Sequence, residues 1–207
     1  MSALALLDYA SVLIFALTGA LAASRAQLDL IGFAFLASLT AVGGGTLRDL
    51  LLDRNPVFWI AQPEHIAIAC LAAVLIFFTA HLFESRAKLL LWLDALALGV
   101  AVAAGVGVAM ALGHEAPVVL LMGVMTGTFG GLMRDVVANE VPMVLRQGEL
   151  YVSAAFGGAC VALLAALISG APLVVFGSCV LSTFVLRAGS IAFGWRLPVY
   201  RARPPKP

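Results

Sequence analysis

Seven apolar runs, each close to the length of a bilayer-crossing helix, fill most of this chain. They lie at residues 6–23, 28–52, 66–83, 89–112, 118–138, 150–169 and 172–193. A helix needs about 20 apolar residues to cross the hydrocarbon core, so seven such runs leave little sequence for anything else. Of the 207 residues, 63% are hydrophobic and 11% are charged, and mean hydropathy is +1.08. Soluble domains carry about 25% charged residues. This composition cannot make the polar surface of a soluble enzyme or a nucleic-acid binder, and it is too apolar for a disordered chain. The predicted class is an all-α membrane protein with seven transmembrane helices.

Polar and turn residues separate the runs: Ser24-Arg25, Asn55-Pro56, Gln62-Pro63-Glu64, Ser85-Arg86, Gly113-His114-Glu115 and Ser169-Gly170. No Lys or Arg precedes the first run, and Arg25 follows it. A cleavable signal has the reverse order, so the first run reads as a membrane helix with its N-terminus outside. Arg25, Arg86, Lys88, Arg146, Arg196, Arg201, Arg203 and Lys206 collect on one side, which predicts a cytoplasmic C-terminus. Residues 196–207 are basic and proline-rich and read as a disordered tail. Cys70, Cys160 and Cys179 sit inside apolar runs and read as small hydrophobes. No metal site and no cofactor are expected, because His65, His81 and His114 are scattered. The net charge of +1 says nothing about partners, and it is the apolar composition that leaves no nucleic-acid partner expected.

Displacing the chain by 86 residues superimposes its polar and glycine residues on themselves. Asp8 falls on Asp94, Gly19 on Gly105, Thr40 on Thr126, Gly44-Gly45 on Gly130-Gly131, Arg48-Asp49 on Arg134-Asp135, and Pro56 on Pro142. After one deletion, Gln62-Pro63-Glu64 falls on Gln147-Gly148-Glu149. Apolar residues drift while these match, so the chain is a duplication. Residues 5–83 form a first three-helix repeat, 89–169 a second, and 172–195 a seventh helix. Three spans per repeat is odd, so the second copy is inverted: a 3+3 inverted repeat plus one helix. Transport folds use that plan, with the pathway between the halves.

The repeated motif lies inside the second and fifth spans. It includes Thr40, Gly43, Gly44, Gly45, Arg48 and Asp49 in one copy, and Thr126, Gly127, Gly130, Gly131, Arg134 and Asp135 in the other. Glycine costs a helix about 1 kcal/mol relative to alanine, so both spans are predicted to kink or break there. A break would free carbonyls that suit a cation. The same glycines equally fit close helix packing. Arg48 and Arg134 lie about one turn past the glycines, where a charge costs roughly 2.5 kcal/mol or more without a partner or water. Such pairs suit a water-filled path with a gate, or buried structural ion pairs. Asp8 and Asp94, at the starts of the first and fourth spans, read as helix caps or functional acids. Arg187 reads as snorkelling from the last span.

The paired sequences Gly43-Gly-Gly-Thr-Leu-Arg-Asp49 and Gly130-Gly-Leu-Met-Arg-Asp135, each followed by a proline, resemble the prokaryotic trimeric intracellular cation (TRIC) channel family over nearly all of residues 5–195. The same domain is also catalogued as a glycine transporter. The resemblance implies a homotrimer in the inner membrane and a pathway within each protomer. It further implies conduction of K+, with Na+ as a second permeant ion, and kinked second and fifth helices. Phe129 stands where a third glycine would in the second copy. Three functions remain open on these residues: a passive cation channel, a carrier of a small amino acid such as glycine, and a membrane scaffold. Beyond itself, the chain is expected to meet membrane lipids. No Ser/His or metal constellation within the spans suggests an enzyme.

Overall fold

Most of the long helices begin where a side chain or a proline can satisfy or omit the orphan N–H groups of a first turn; the helix that starts at Val152 has neither. The computed structural model describes residues 2–83 and 85–200. Helix α1 (Ala3–Arg25) is capped by Ser2, whose hydroxyl accepts from Ala5 N at 3.2 Å. Helix α2 (Leu30–Leu51) is capped by Asp29, which accepts from Gly32 N at 2.7 Å. A short α3 (Phe58–Ala61) precedes α4 (Glu64–Thr79), which ends in a 3-10 turn. Helix α5 (Arg86–Ala111) is capped by Ser85. Helices α6 (Ala116–Val137) and α8 (Pro172–Phe193) carry proline in their first turns, and α7 (Val152–Ile168) lies between them. Seven of these match the expected spans. Six are long and apolar enough to cross a membrane, and α7 is a shorter apolar helix of 17 residues.

The earlier starts of α1 and α5 correct one expectation. Asp8 and Asp94 are not caps: Ser2 and Ser85 hold those positions, and both aspartates lie within the helices. The expectation of disorder from residue 196 is also corrected at its start. Arg196 forms an antiparallel bridge with Glu149, and Leu197 N donates to Gly148 O at 2.9 Å. The remainder of that tail, 201–207, lies outside the described residues.

The duplication is visible in the turns as well as the sequence. Gln27 and Gly113, 86 residues apart, both have positive φ, of 56° and 75°. Asp53 and Asn139 repeat the relation at 50° and 56°. Arg54 N donates to Asp49 O, and Glu140 N to Asp135 O, each at 2.8 Å. Helix α1 packs on α2 as α5 packs on α6, and the halves meet through α1 against α5 and α2 against α6. Helix α8, outside the repeat, covers α5 and α7. Buried Ala16, Ala20, Ala23, Ala97, Ala101 and Ala103 allow close approach at these contacts, which suits a solvent where packing rather than water exclusion joins helices. Ile31, Phe35, Leu71, Leu167 and Leu173 point outward, as a lipid-facing surface requires.

Candidate functional site

The centre of the molecule is the crossing of α2 and α6, and glycine makes it. A Cβ added at Gly44 would collide with the carbonyl oxygen of Thr126, and one at Gly130 with that of Thr40. Gly19 and Gly105 repeat the device one layer out: their added Cβ atoms would stand 2.7 and 2.6 Å from the hydroxyls of Thr40 and Thr126. Gly43 and Gly127 face side chains instead, Met133 and Val102. Helical structure continues through both glycine runs. The expected break with freed carbonyls is therefore corrected. Lost side-chain volume, rather than a gap in the helix, is what these glycines supply at the crossing.

Four residues past each crossing glycine, one helical turn on, stands a buried arginine. In the first centre, Arg48 Nη1 donates to Asp8 Oδ1 at 2.8 Å and Nε to Asp49 Oδ1 at 2.7 Å. In the second, Arg134 Nη1 donates to Asp94 Oδ1 at 2.7 Å and Nε to Asp135 Oδ1 at 2.8 Å. The motif carboxylates are held in turn by backbone: Asp49 Oδ2 accepts from Phe58 N, and Asp135 Oδ2 from Met143 N, both at 2.9 Å. Phe58 and Met143 thus occupy equivalent places, and each also touches its arginine. The Phe58 ring centroid lies 5.4 Å from the Arg48 guanidinium carbon, and Met143 Sδ lies 3.9 Å from Arg134 Nη2. Gly45 leaves room for the Phe58 ring, while Gly131 leaves room for the Tyr151 hydroxyl.

Both arginines are completely buried. A lone charge at such depth is strongly unfavourable, and two carboxylates bracketing each one neutralise it with charge-assisted hydrogen bonds. The centres differ in access. Asp8, Arg54, Phe58, Gln62 and His65 line a cavity of about 380 Å³ on the side of the N-terminus. Beyond it, Asp8, Ser11, Gly44, Arg48 and Thr126 enclose a space of about 10 Å³, close to the size of one water. Arg48 Nη2 and Thr126 Oγ1, atoms of two residues that line that space, have no hydrogen-bond partner among the described residues. Thr40 Oγ1, the repeat counterpart of Thr126 Oγ1, donates to Leu36 O at 2.6 Å. At the second centre Thr18 Oγ1 accepts from Arg134 Nη1 at 3.0 Å, and Asp94 is fully buried.

All four charged motif residues therefore stand at the two centres, and Thr40 and Thr126 at the crossing. Asp8 and Asp94 are the partners of these arginines, and the 40-residue spacing shared by Asp8–Arg48 and Asp94–Arg134 is the signal that could have found them. Phe58, Met143 and Tyr151 carried no such signal. Arg187 does not snorkel: it is fully buried, its guanidinium carbon 5.1 Å from the Tyr151 ring centroid. The opposite charges at Arg54 and Glu140 have separate partners, Asp49 at 3.3 Å and Arg25 at 3.0 Å. Among the described residues no cluster of His, Cys, Asp and Glu could hold a metal ion, and the three cysteines are free.

Comparisons with known proteins fit this geometry. The family model described as a glycine transporter matches twice, at residues 5–81 and 91–167. The chain is 37% identical to a UPF0126 membrane protein of Vibrio cholerae over 96% of its own length and 83% of the relative's. It is 36% identical to the UPF0126 inner membrane protein YadS of Escherichia coli, covering 94% of both chains. Its fold matches the crystal structure of the TRIC trimeric intracellular cation channel orthologue from Rhodobacter sphaeroides with a TM-score of 0.90 and 39% identity. That match covers 94% of this chain and 100% of the other. A second structure, concerned with conductance through TRIC cation channels, matches with a TM-score of 0.85 and 30% identity over 98% and 100% of the two chains.

Proposed function

This chain belongs to the prokaryotic TRIC family, with the glycine-transporter domain present twice, and from that premise we propose that it is a cation channel. Each protomer of a homotrimer carries its own path for K+, between the two repeats and through the α2–α6 crossing. The observation that carries this reading is the pair of carboxylate-bracketed arginines on either side of that crossing, the first opening onto a cavity of about 380 Å³.

A cation entering that cavity meets Asp8, whose side chain is 12% exposed while its partner Arg48 is wholly covered. The carboxylate is therefore presented and the guanidinium withheld, which attracts cations into a poorly hydrated passage. The space beyond holds about one water, so conduction requires the Arg48 side chain to move from its place beside Asp8. Arg48 and Asp49 form one gate and Arg134 and Asp135 the other. Thr126 Oγ1 and the crossing backbone supply oxygen ligands between them. The second centre carries two carboxylates for one arginine, a formal excess of negative charge that also favours a cation.

We assign the N-terminus to the outside and the C-terminal segment to the cytoplasm of an inner membrane. Arg25 pairs with Glu140, and Arg86 donates to the carbonyl and hydroxyl oxygens of Ser24. These basic residues thus share one end of the molecule, and excess Lys and Arg marks the cytoplasmic face. The trimer rests on the described assembly of the Rhodobacter protein.

A small-amino-acid carrier is the second reading, supported by the glycine-transporter description and by a cavity that carries both Asp8 and Arg54. Purified protein in planar bilayers under a KCl gradient separates the two. Unitary current steps reversing near the K+ equilibrium potential are the expected result. Saturable, gradient-coupled glycine uptake without steps would replace the channel with the carrier.

A further inference from the structure

The two repeats provide equivalent arginine centres, yet only the first opens onto the wide cavity described above. What differs at the second is Tyr151, and the arginine lying over its ring comes from outside the repeat. Tyr151 is 2% exposed. The spot where a Cβ on Gly131 would sit lies 2.9 Å from the Tyr151 hydroxyl, 3.4 Å from Asp94 Oδ1 and 3.7 Å from Arg134 Nη2. The phenol therefore reaches into the second centre through the notch that Gly131 leaves. The hydroxyl stands beside the Asp94 carboxylate but makes no well-directed hydrogen bond among the described residues, and Asp94 Oδ2 has no partner there either.

Arg187 lies over that ring, 5.1 Å from its centroid. It is fully buried in α8, and its Nη1 stands 2.8 Å from Glu149 Oε2. Its guanidinium nitrogens form no well-directed hydrogen bond among the described residues, so the contact with Glu149 is an ion pair by proximity. Glu149 is partly exposed, with 29% of its side chain accessible. The loop that carries it is tied to α8 and the residues after it. Leu150 N donates to Ser190 Oγ at 3.1 Å, and Leu197 N donates to Gly148 O at 2.9 Å. A buried arginine whose one carboxylate partner among the described residues reaches the surface is poised, because parting the pair leaves an uncompensated buried charge.

We propose that Tyr151 closes the path at the second centre, and that the Glu149–Arg187 pair, supplied through α8, is the latch that holds it closed. This rests on the channel reading. Arg187 and Glu149 are positioning residues that act on the path through Tyr151 and touch no ion. In this arrangement the seventh helix breaks the functional symmetry of two otherwise equivalent halves. When the pair parts, the ring swings out of the Gly131 notch and exposes Asp94 and Arg134 to water.

The test combines single-channel recording with thiol accessibility on trimeric protein purified by size exclusion. E149Q and R187Q are expected to raise open probability several-fold while leaving unitary conductance at the parent value. In a Y151A background neither substitution should add a further change, because the element they hold is gone. E149Q changes a partly exposed side chain, so it keeps the test available if R187Q assembles poorly. The second readout needs no current. A cysteine introduced as T18C, beside Arg134, should react with a water-soluble methanethiosulfonate several-fold faster when combined with E149Q or R187Q than alone. Protein without T18C supplies the background from the native cysteines. Unchanged or reduced open probability in both variants, effects that persist in the Y151A background, or equal T18C reaction rates would each overturn the latch. Faster T18C reaction in protein that shows no unitary current in any variant would keep the latch as a closure and remove the channel reading instead.

Discussion

Arg48 reaches across forty residues of chain to Asp8, donating from Nη1 to Oδ1 at 2.8 Å. The same bond, with the same spacing, joins Arg134 to Asp94 at 2.7 Å in the second repeat. These bonds tie α1 to α2 and α5 to α6 deep inside the molecule. They give each buried guanidinium a second carboxylate beyond its sequence neighbour.

The two long-range aspartates should not be equally important for stability. Asp94 is fully buried, whereas the Asp8 side chain is 12% exposed and borders a cavity that water can enter. Removing one partner of a buried pair costs about 3–5 kcal/mol. Asp94→Asn should approach that range, and Asp8→Asn should fall well below it. Thermal unfolding in detergent should give a markedly lower Tm for the Asp94 variant. Equal losses would show that the cavity does not hydrate Asp8.

The crossing glycines make a harsher prediction. A methyl group at Gly44 or Gly130 meets backbone carbonyl oxygen, which cannot rotate away. Overpacking costs about 1–3 kcal/mol, and more where backbone must shift. Gly44→Ala and Gly130→Ala should each reduce the yield of monodisperse protein sharply. Gly177→Ala, where an added Cβ meets nothing within 4 Å, should be neutral. Normal yields for the crossing variants would mean that α2 and α6 lie further apart than described.

Thr40 and Thr126 are repeat counterparts with different surroundings. Thr40 Oγ1 is bonded to Leu36 O, while Thr126, a residue lining the water-sized space beside Arg48, has an Oγ1 that is unpartnered among the described residues. Thr126→Val should therefore lower unitary K+ conductance several-fold with little change in Tm. Thr40→Val should leave conductance near the parent value. Reversed effects would move the path to the other side of the crossing.

Much of this architecture was legible in the sequence, because the duplication is written in polar residues. The 86-residue offset brings Asp8, Arg48 and Asp49 onto Asp94, Arg134 and Asp135, and all six meet in the two centres. Asp8 and Asp94 were nonetheless open to a capping role. Hydropathy marks where apolar residues begin, whereas the helices begin earlier, just after their caps Ser2 and Ser85. The glycine runs were equally open, since a broken helix and a close crossing ask for the same residue, and only the position of Thr126 against Gly44 decides between them. Tyr151 lay beyond sequence reasoning altogether, and Arg187 read as snorkelling when it is in fact fully buried. Arg187 has no counterpart in the repeat, and an apolar helix does not announce which face it buries.

The central claim is that the two arginine centres control a cation path. Single-channel recording of Arg48→Ala and Arg134→Ala beside the parent, in assembled protein under a KCl gradient, tests it most directly. Removing either guanidinium takes a positive charge out of a poorly hydrated passage, and a change of about 1.4 kcal/mol in ion energy alters occupancy tenfold. The expected result is cation-selective unitary current in the parent and a several-fold change in conductance or open probability in both variants. Currents in both variants that match the parent, with only a lower melting temperature, would make the centres purely structural and contradict the account.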